Sequence, residues 1–473
     1  MGAAMPCGGA IAIGGDSIMM NIQGLNLPKN SFKLSIANRF LSYGLVLLFV
    51  MASACFMQGQ TSAVSYNSLS EGKVIHGFKT VTVYLNADDK PMGARFVHVA
   101  TGFTLDLLQI QSVPQAMIAV NTFPDSDRGE PHTQEHLLIA KGNKGRGLQN
   151  FELMSLVADQ AFTNSLQTVY HINTIAGPDT FYLALEKTLD ALIHPDYTEE
   201  EVRREVRNFG VSGDDSGKGL KLVEKGSVYN EMTSSYTNPY TNAYDQLSKL
   251  EYGSNHPLGF NAGGTPEGIR ALKPEHIQQF HEQNYHLPNM TAIVSHPKEM
   301  QLETVLAKSD AMLRRLEPNP PKKHFKTKDE LPAVQATAPG TVVLVPYPSE
   351  NEQQPSPIAF GWPAQLKLSH QEYTLLNLFA NNLAGDATTN LYKKLIDTKT
   401  REVDIGAQGL FSSASSNQGQ PLLLWVVDVP PANITETTIK DLRTRIAAKY
   451  YYSIQQVPSS FSCGIRNPVD ALP

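Results

Sequence analysis

Cysteine is nearly missing from this sequence. Its three residues, Cys7, Cys55 and Cys463, fall outside the expected folded body of a 473-residue chain. That excludes a disulfide framework, a cysteine-rich zinc finger and a cysteine nucleophile in the core. Any metal centre must therefore be assembled from histidine and carboxylate. Charge is also sparse, at 18% of residues with a formal net charge of −6. No basic stripe with interleaved aromatics appears, which removes the electrostatic ground for a nucleic-acid partner. What is present, 41% hydrophobic residues over this length, is the composition of a soluble globular protein with room for two or three cores.

The longest apolar run is at the amino end. Lys29, Lys33 and Arg39 precede FLSYGLVLLFVMASACFM, uncharged from Phe40 to Met57. A basic flank, an apolar stretch and the small residues Ala52-Ser53-Ala54 match a signal peptide. Cys55 follows directly, as in a bacterial lipoprotein box, and the run is nearly long enough to span a bilayer. The expectation is an exported protein, periplasmic, extracellular or membrane-tethered. Cleavage, lipid attachment at Cys55 and a retained anchor all stay open.

Beyond this leader (1–58), VTVYLNA (81–87), ARFVHVATG (94–102) and AMIAVNTF (116–123) alternate as strands do. FELMSLVADQ (151–160), DTFYLALEKTLDALIH (179–194) and a stretch from about Lys218 to Ser234 carry helical spacing, and PEHIQQFHEQNY (274–285) opens on a proline suited to a helix start. MTAIVSH (290–296) reads as a buried strand. A first domain over 59–316 gives way to a Pro- and Lys-rich linker, 317–340. The order then begins again over 341–448: TVVLVPYP and SPIAFGW as strands, HQEYTLLNLFANNLAG as a helix, PLLLWVVDVPP as a strand and TETTIKDLRTRIAA as a helix. The fold class is α+β: two related domains, each a mainly antiparallel sheet packed by helices, the second incomplete. The tail, 449–473, is atypical and reads as truncated or foreign sequence.

The chemistry concentrates in GEPHTQEHLL (129–138). Four residues apart on a helix, His132 and His136 share one face and can reach one divalent ion. Glu135, beside the second histidine, can approach an activated water without taking a ligand position. Catalytic zinc wants three protein ligands, an open position and a base. The motif supplies two ligands and the base in the reverse order of the HExxH helix. Alone, it is open between a metal site and the solvated polar face of an ordinary helix. A third ligand would decide, and KGLKLVEKGSVYNEMTSSY (218–236) places Glu224 and Glu231 two turns apart on one expected helix face. KGNKGRG (141–147) lacks the Ser or Thr of a phosphate loop and reads as a plain loop. His194, His256, His281 and His286 lie near element ends and read as packing or capping residues, and Tyr229 as core.

In these motifs the chain resembles the inverted-motif zinc peptidases of the pitrilysin and insulinase family, in the branch of presequence protease and falcilysin. Gly129-x-x-His132-x-x-Glu135-His136 carries the resemblance, supported by AFTNSLQTVYHINT (161–174), LDALIHP (189–195), GSVYNEM (226–232), GGTPEGIRAL (263–272), FHEQNYHLPN (280–289) and GDATTNLYKKLID (385–397). It implies that His132, His136 and Glu231 bind one zinc ion, that Glu135 is the general base, and that Glu224 supports a ligand histidine. It implies peptide substrates held in a closing chamber, with Gln160, where the family usually has Asn, as a substrate-backbone contact. Full enzymes of the family have two halves, and an Arg and Tyr pair from the second helps bind the scissile carbonyl. The resemblance here covers one half, so a second half or a partner chain is expected. A non-catalytic subunit that holds peptide or a partner near a membrane is the competing expectation.

Overall fold

Alternating apolar residues define the main layer. In the computed structural model, which describes residues 64–213, 216, 217, 219–362, 368–414 and 422–455, eight strands form one sheet. These are β1 (Val74–Ile75), β2 (Phe78–Leu85), β3 (Pro91–His98), β4 (Thr104–Gln109), β5 (Gln115–Asn121), β6 (Ala158–Thr163), β7 (Gln167–Asn173) and β10 (Met290–His296). Between the last two in sequence lies a separate hairpin of β8 (Phe209–Gly213) and β9 (Leu220–Glu224). The sheet order is β1-β2-β3-β4-β10-β5-β7-β6, and only the β4–β10 pairing is parallel. The late strand β10 thus inserts at the centre, and β6 is left as an edge.

The helices are α1 (Glu130–Ala140), α2 (Gly142–Leu153), α3 (Pro178–Ile193), α4 (Glu199–Val206), α5 (Ser227–Ser235), α6 (Pro239–Tyr252), α7 (Pro266–Ala271), α8 (Pro274–Asn284) and α9 (Leu302–Leu316). One face of the sheet is covered. Phe96, Leu105, Leu107, Ile118, Ala292 and Val294 meet Phe181, Leu185 and Leu189 of α3 and Val305, Leu306 and Leu313 of α9 in the main core. Met117 and Ile293, one residue out of phase, are exposed, as the period of two requires.

After α9, residues 317–355 hold no strand or α-helix among the described residues. A three-stranded antiparallel sheet follows in the order β11-β13-β12, from β11 (Ser356–Trp362), β12 (Gly409–Ser413) and β13 (Leu422–Val429). Helices α10 (His370–Leu383), α11 (Asn390–Leu395) and α12 (Glu436–Gln455) accompany it. Leu383, Leu391, Leu395 and Leu442 bury against Ile358, Phe360, Leu424 and Val426 in this second core. The chain is α+β with antiparallel-rich sheets. Among the described residues no helix is long and apolar enough to cross a membrane. The leader with Cys55 and most of the tail lie outside the described residues.

Four local expectations change. FELMSLVADQ is not one helix: α2 ends at Leu153, Ser155 turns at φ 55° and β6 starts at Ala158. KGNKGRG is not a loop. Asp196 accepts from the backbone N–H groups of Asn143 and Lys144, both at 3.1 Å, and so caps a helix that its glycines disfavour. Residues 220–224 form a strand in place of a helical turn, and TVVLVPYP joins no sheet. Short apolar runs satisfy either period, and long-range partners decide between them.

Candidate metal centre

Helix α1 begins where only glycine fits. Gly129 has φ 74°, and a Cβ there would lie 2.5 Å from the Gly263 carbonyl oxygen. Pro131 follows in the first turn. The helix is then buried to an extent its polarity does not suggest: Glu130, His132, Thr133, Gln134 and Glu135 are all buried. That removes the reading of a solvated polar face, because buried polar groups are retained where they have partners or work to do.

A small core behind the site fixes five helices together. Leu137 of α1 packs with Val202 and Val206 of α4, Val228 and Met232 of α5, Ile269 of α7 and Ile277 of α8, with Tyr229 in the same cluster. The start of α5 nearly touches the end of α4: a Cβ on Gly226 would lie 2.7 Å from the Glu205 carbonyl oxygen. With 228, 229 and 232 turned inward, Glu231 projects from α5 with its side chain 55% exposed.

The outcome is a convergent donor set. Glu231 Oε1 lies 3.4 Å from His132 Nε2, and Oε2 lies 3.4 Å from His136 Nε2. One ligand atom from each of these residues falls within 4.8 Å of the others. The remaining ring nitrogens are occupied: His132 Nδ1 faces the Gly263 carbonyl at 3.4 Å, and His136 Nδ1 faces Glu205 Oε2 at 3.2 Å. Those contacts orient both rings with Nε2 inward, as ligand histidines need. Two imidazoles and one carboxylate fit a divalent zinc ion.

Glu135 stands beside this set, and the Thr163 hydroxyl of β6 donates to its Oε2 at 2.6 Å. Burial raises its carboxyl above the ordinary range, while Thr163 and the two histidines pull it back in part. Donation from His132 and His136 holds Glu231 far below its ordinary range. Burial alone would lower His136, but the carboxylates of Glu205 and Glu231 outweigh it and lift the imidazole to about 9.

The expected role of Glu224 is a correction. It ends strand β9, outside the helix that carries Glu231, and its carboxylate pairs with Arg270 at 2.7 Å. It lines a cleft with Arg207, Phe209, Leu222 and Arg270 that holds neither histidine. The carboxylate at His136 is Glu205, whose side chain is 2% exposed and also takes Lys141 Nζ at 2.8 Å. Burial would raise Glu205, but His136 and Lys141 hold it low and charged. Its sequence signal was the capping box at Thr198 and Glu201, which begins α4 and turns residue 205 toward α1. Gln160 lies on edge strand β6 and is exposed. The four peripheral histidines are structural: His194 and His281 bond the Leu316 and Leu192 carbonyls, His256 accepts from Leu258 N–H, and His286 meets Glu317.

A cavity of about 880 Å³ opens on the site, lined by His132, Glu135, His136, Glu231, the end of β6 and the turn after it from Ala161 to Ser165, and aromatic residues including Tyr240, Phe411 and Trp425.

The family model described as the peptidase M16 inactive domain matches residues 271–449, which begin after the donor set. A mitochondrial presequence protease of Gibberella zeae is 28% identical over 247 residues, covering 46% of this chain and 22% of that protein. That of Schizosaccharomyces pombe is 28% identical over 294 residues, covering 59% and 28%. The chain thus spans about a quarter of the length of these curated relatives. A protease from Helicobacter pylori, solved by crystallography, shares the fold at a TM-score of 0.53 with 15% identity, covering 80% of each chain.

Proposed function

We propose that this chain is a zinc endopeptidase of the pitrilysin and insulinase family acting on unfolded oligopeptides, a reading supported by the peptidase M16 model it matches and by the presequence proteases among its relatives. One observation carries the reading. Three ligand-capable side chains converge from α1 and α5, and a fourth side chain, the acidic Glu135, stands beside them without joining the set. A purely structural cluster has no use for that fourth group.

His132, His136 and Glu231 would hold the ion. When bound, zinc supplies the Lewis acidity that makes water nucleophilic near neutral pH. The chain's own residues do the rest. Glu135, with its carboxyl raised by burial, accepts the proton of the attacking water and returns it to the leaving amine. Thr163 orients the Glu135 carboxylate, and Glu205 fixes the His136 ring. The open edge of β6 lets an extended peptide pair as an added strand beside Glu135, with Gln160 further along that edge.

The test pairs zinc content with cleavage of an unstructured peptide, in the wild type and in Glu135→Gln. Bound zinc in both proteins with cleavage only in the wild type supports the reading; a wild type that takes up no zinc sinks it. The second reading, a peptide-holding subunit without catalysis, draws on the inactive-domain description of the matched model. Zinc uptake without cleavage by any assembled form would favour it. We assign closure of the cavity to further sequence or a partner chain; full-rate cleavage by this chain alone would refute that. Lys29 to Met57 support the further proposal that the protein acts after export. A reporter fused behind residues 1–58 that stayed in the cytoplasm would overturn it.

A further inference from the structure

The cavity has a second wall that the hydrolytic chemistry does not use. The three-stranded sheet turns Leu410, Leu424 and Val426 into its own core, and strand alternation sends Phe411 and Trp425 to the opposite face. The two are cross-strand partners, with ring centroids 6.2 Å apart and planes 19° from parallel. Tyr240 of α6 extends the surface, its ring 5.5 Å from that of Trp425. All three line the same cavity as Glu135 and Glu231, and they are joined by Phe162 of the edge strand. Phe411 is 45% exposed and Phe162 is 40% exposed. Among the described lining residues, the three-stranded sheet contributes these two aromatic rings and no charged group.

We propose that the wall of Tyr240, Trp425 and Phe411 is a substrate subsite that selects peptides carrying an aromatic or bulky aliphatic side chain. The proposal rests on the peptidase reading for the nature of the ligand, and it adds which peptides are taken. A peptide laid along β6 alternates its side chains between two faces, so a recurring set of positions can meet a flat aromatic surface. A polar or charged side chain placed there would lose water without gaining a partner. An aromatic one gains area burial and ring packing, which together make a preference of about tenfold the expected scale.

The experiment uses labelled, unstructured Gly/Ser host peptides carrying one Phe at successive positions. Binding is measured by fluorescence anisotropy to Glu135→Gln protein, and cleavage is measured with the wild type. At one or two positions, Phe should tighten binding about tenfold over the Ser host. Phe411→Ala should abolish that preference and Phe411→Leu should keep most of it. Leu153→Ala, at an exposed position outside the cavity, should leave it intact. An unmutated protein that binds every host peptide alike overturns the proposal, as does a preference that survives Phe411→Ala. Thermal unfolding of the variants checks that loss of preference is not loss of fold. A wild type that prefers Phe yet takes up no zinc supports the wall and refutes the peptidase reading. Cleavage without any preference does the reverse.

Discussion

The two sheets meet one cavity with opposite chemistry. The eight-stranded sheet and its helices bring every ionisable group of the donor set, the histidines from α1 with His136 braced by Glu205 of α4, and the half-exposed Glu231 from α5. The three-stranded sheet brings Phe411 and Trp425. The polar side is costly to build, because each buried charge must be paired or be neutralised. It therefore has its own small core around Leu137 and Val228, which uses no residue of the second sheet. The aromatic side needs only strand alternation. On the proposed reading the donor set and the paired rings of Phe411 and Trp425 belong to separate pieces of the molecule, so each can be damaged without the other.

The sharpest break on the polar side is Glu135→Gln. Peptide cleavage should fall on the order of a thousandfold while zinc stoichiometry stays at the wild-type value. Next, Glu205→Gln should weaken zinc binding about 10- to 100-fold in a chelator competition. Glu224→Gln should change it by less than about twofold, since Glu224 bonds Arg270 and that pair is half in solvent. Equal losses in the two variants would restore Glu224 to the site.

A pH series gives a smaller effect. His136 in the metal-free chain is raised to about 9 and must lose its proton to bind an ion. Zinc affinity should therefore fall as pH drops below about 9, by up to about tenfold per unit. A flat profile between pH 6 and 8 would contradict this.

The smallest effect lies near the second sheet. Burial raises Glu251 of α6 from its ordinary 4.5 to about 8, and among the described residues neither of its oxygens has a hydrogen-bond partner. The folded state holds this proton where the unfolded chain has released it. The contribution is therefore fully present below the unfolded value and is lost as pH rises toward about 8. The thermal midpoint should decline over that window, and Glu251→Gln should flatten the decline.

Much of this was legible beforehand. His132, Glu135 and His136 were readable because helical spacing alone puts both imidazoles on one face. β2, β3 and β5 were readable because alternation over a full strand has few other solutions, and β10 as a buried apolar run. Glu205 was not, because its role depends on how α4 packs across α1 through Val202, Val206 and Leu137. No local pattern encodes that meeting. Glu224 misled for the mirror reason: a spacing of seven suggested one helix face, and the hairpin β8–β9 ends between the two glutamates. The glycine-rich segment after α1 became a helix through Asp196, some fifty residues away in sequence and a neighbour only in space.

The sequence by itself determined the pieces whose physics is local: a histidine pair four residues apart, a glutamate beside it, strand alternation, and the exclusion of a cysteine metal site. Tertiary structure alone decided which carboxylate steadies His136 and which pair of rings faces the donor set across the cavity. The reason is range. Periodicity and capping act over a few residues, whereas a buried ion pair and a shared cavity exist only once distant elements have paid the entropy of coming together.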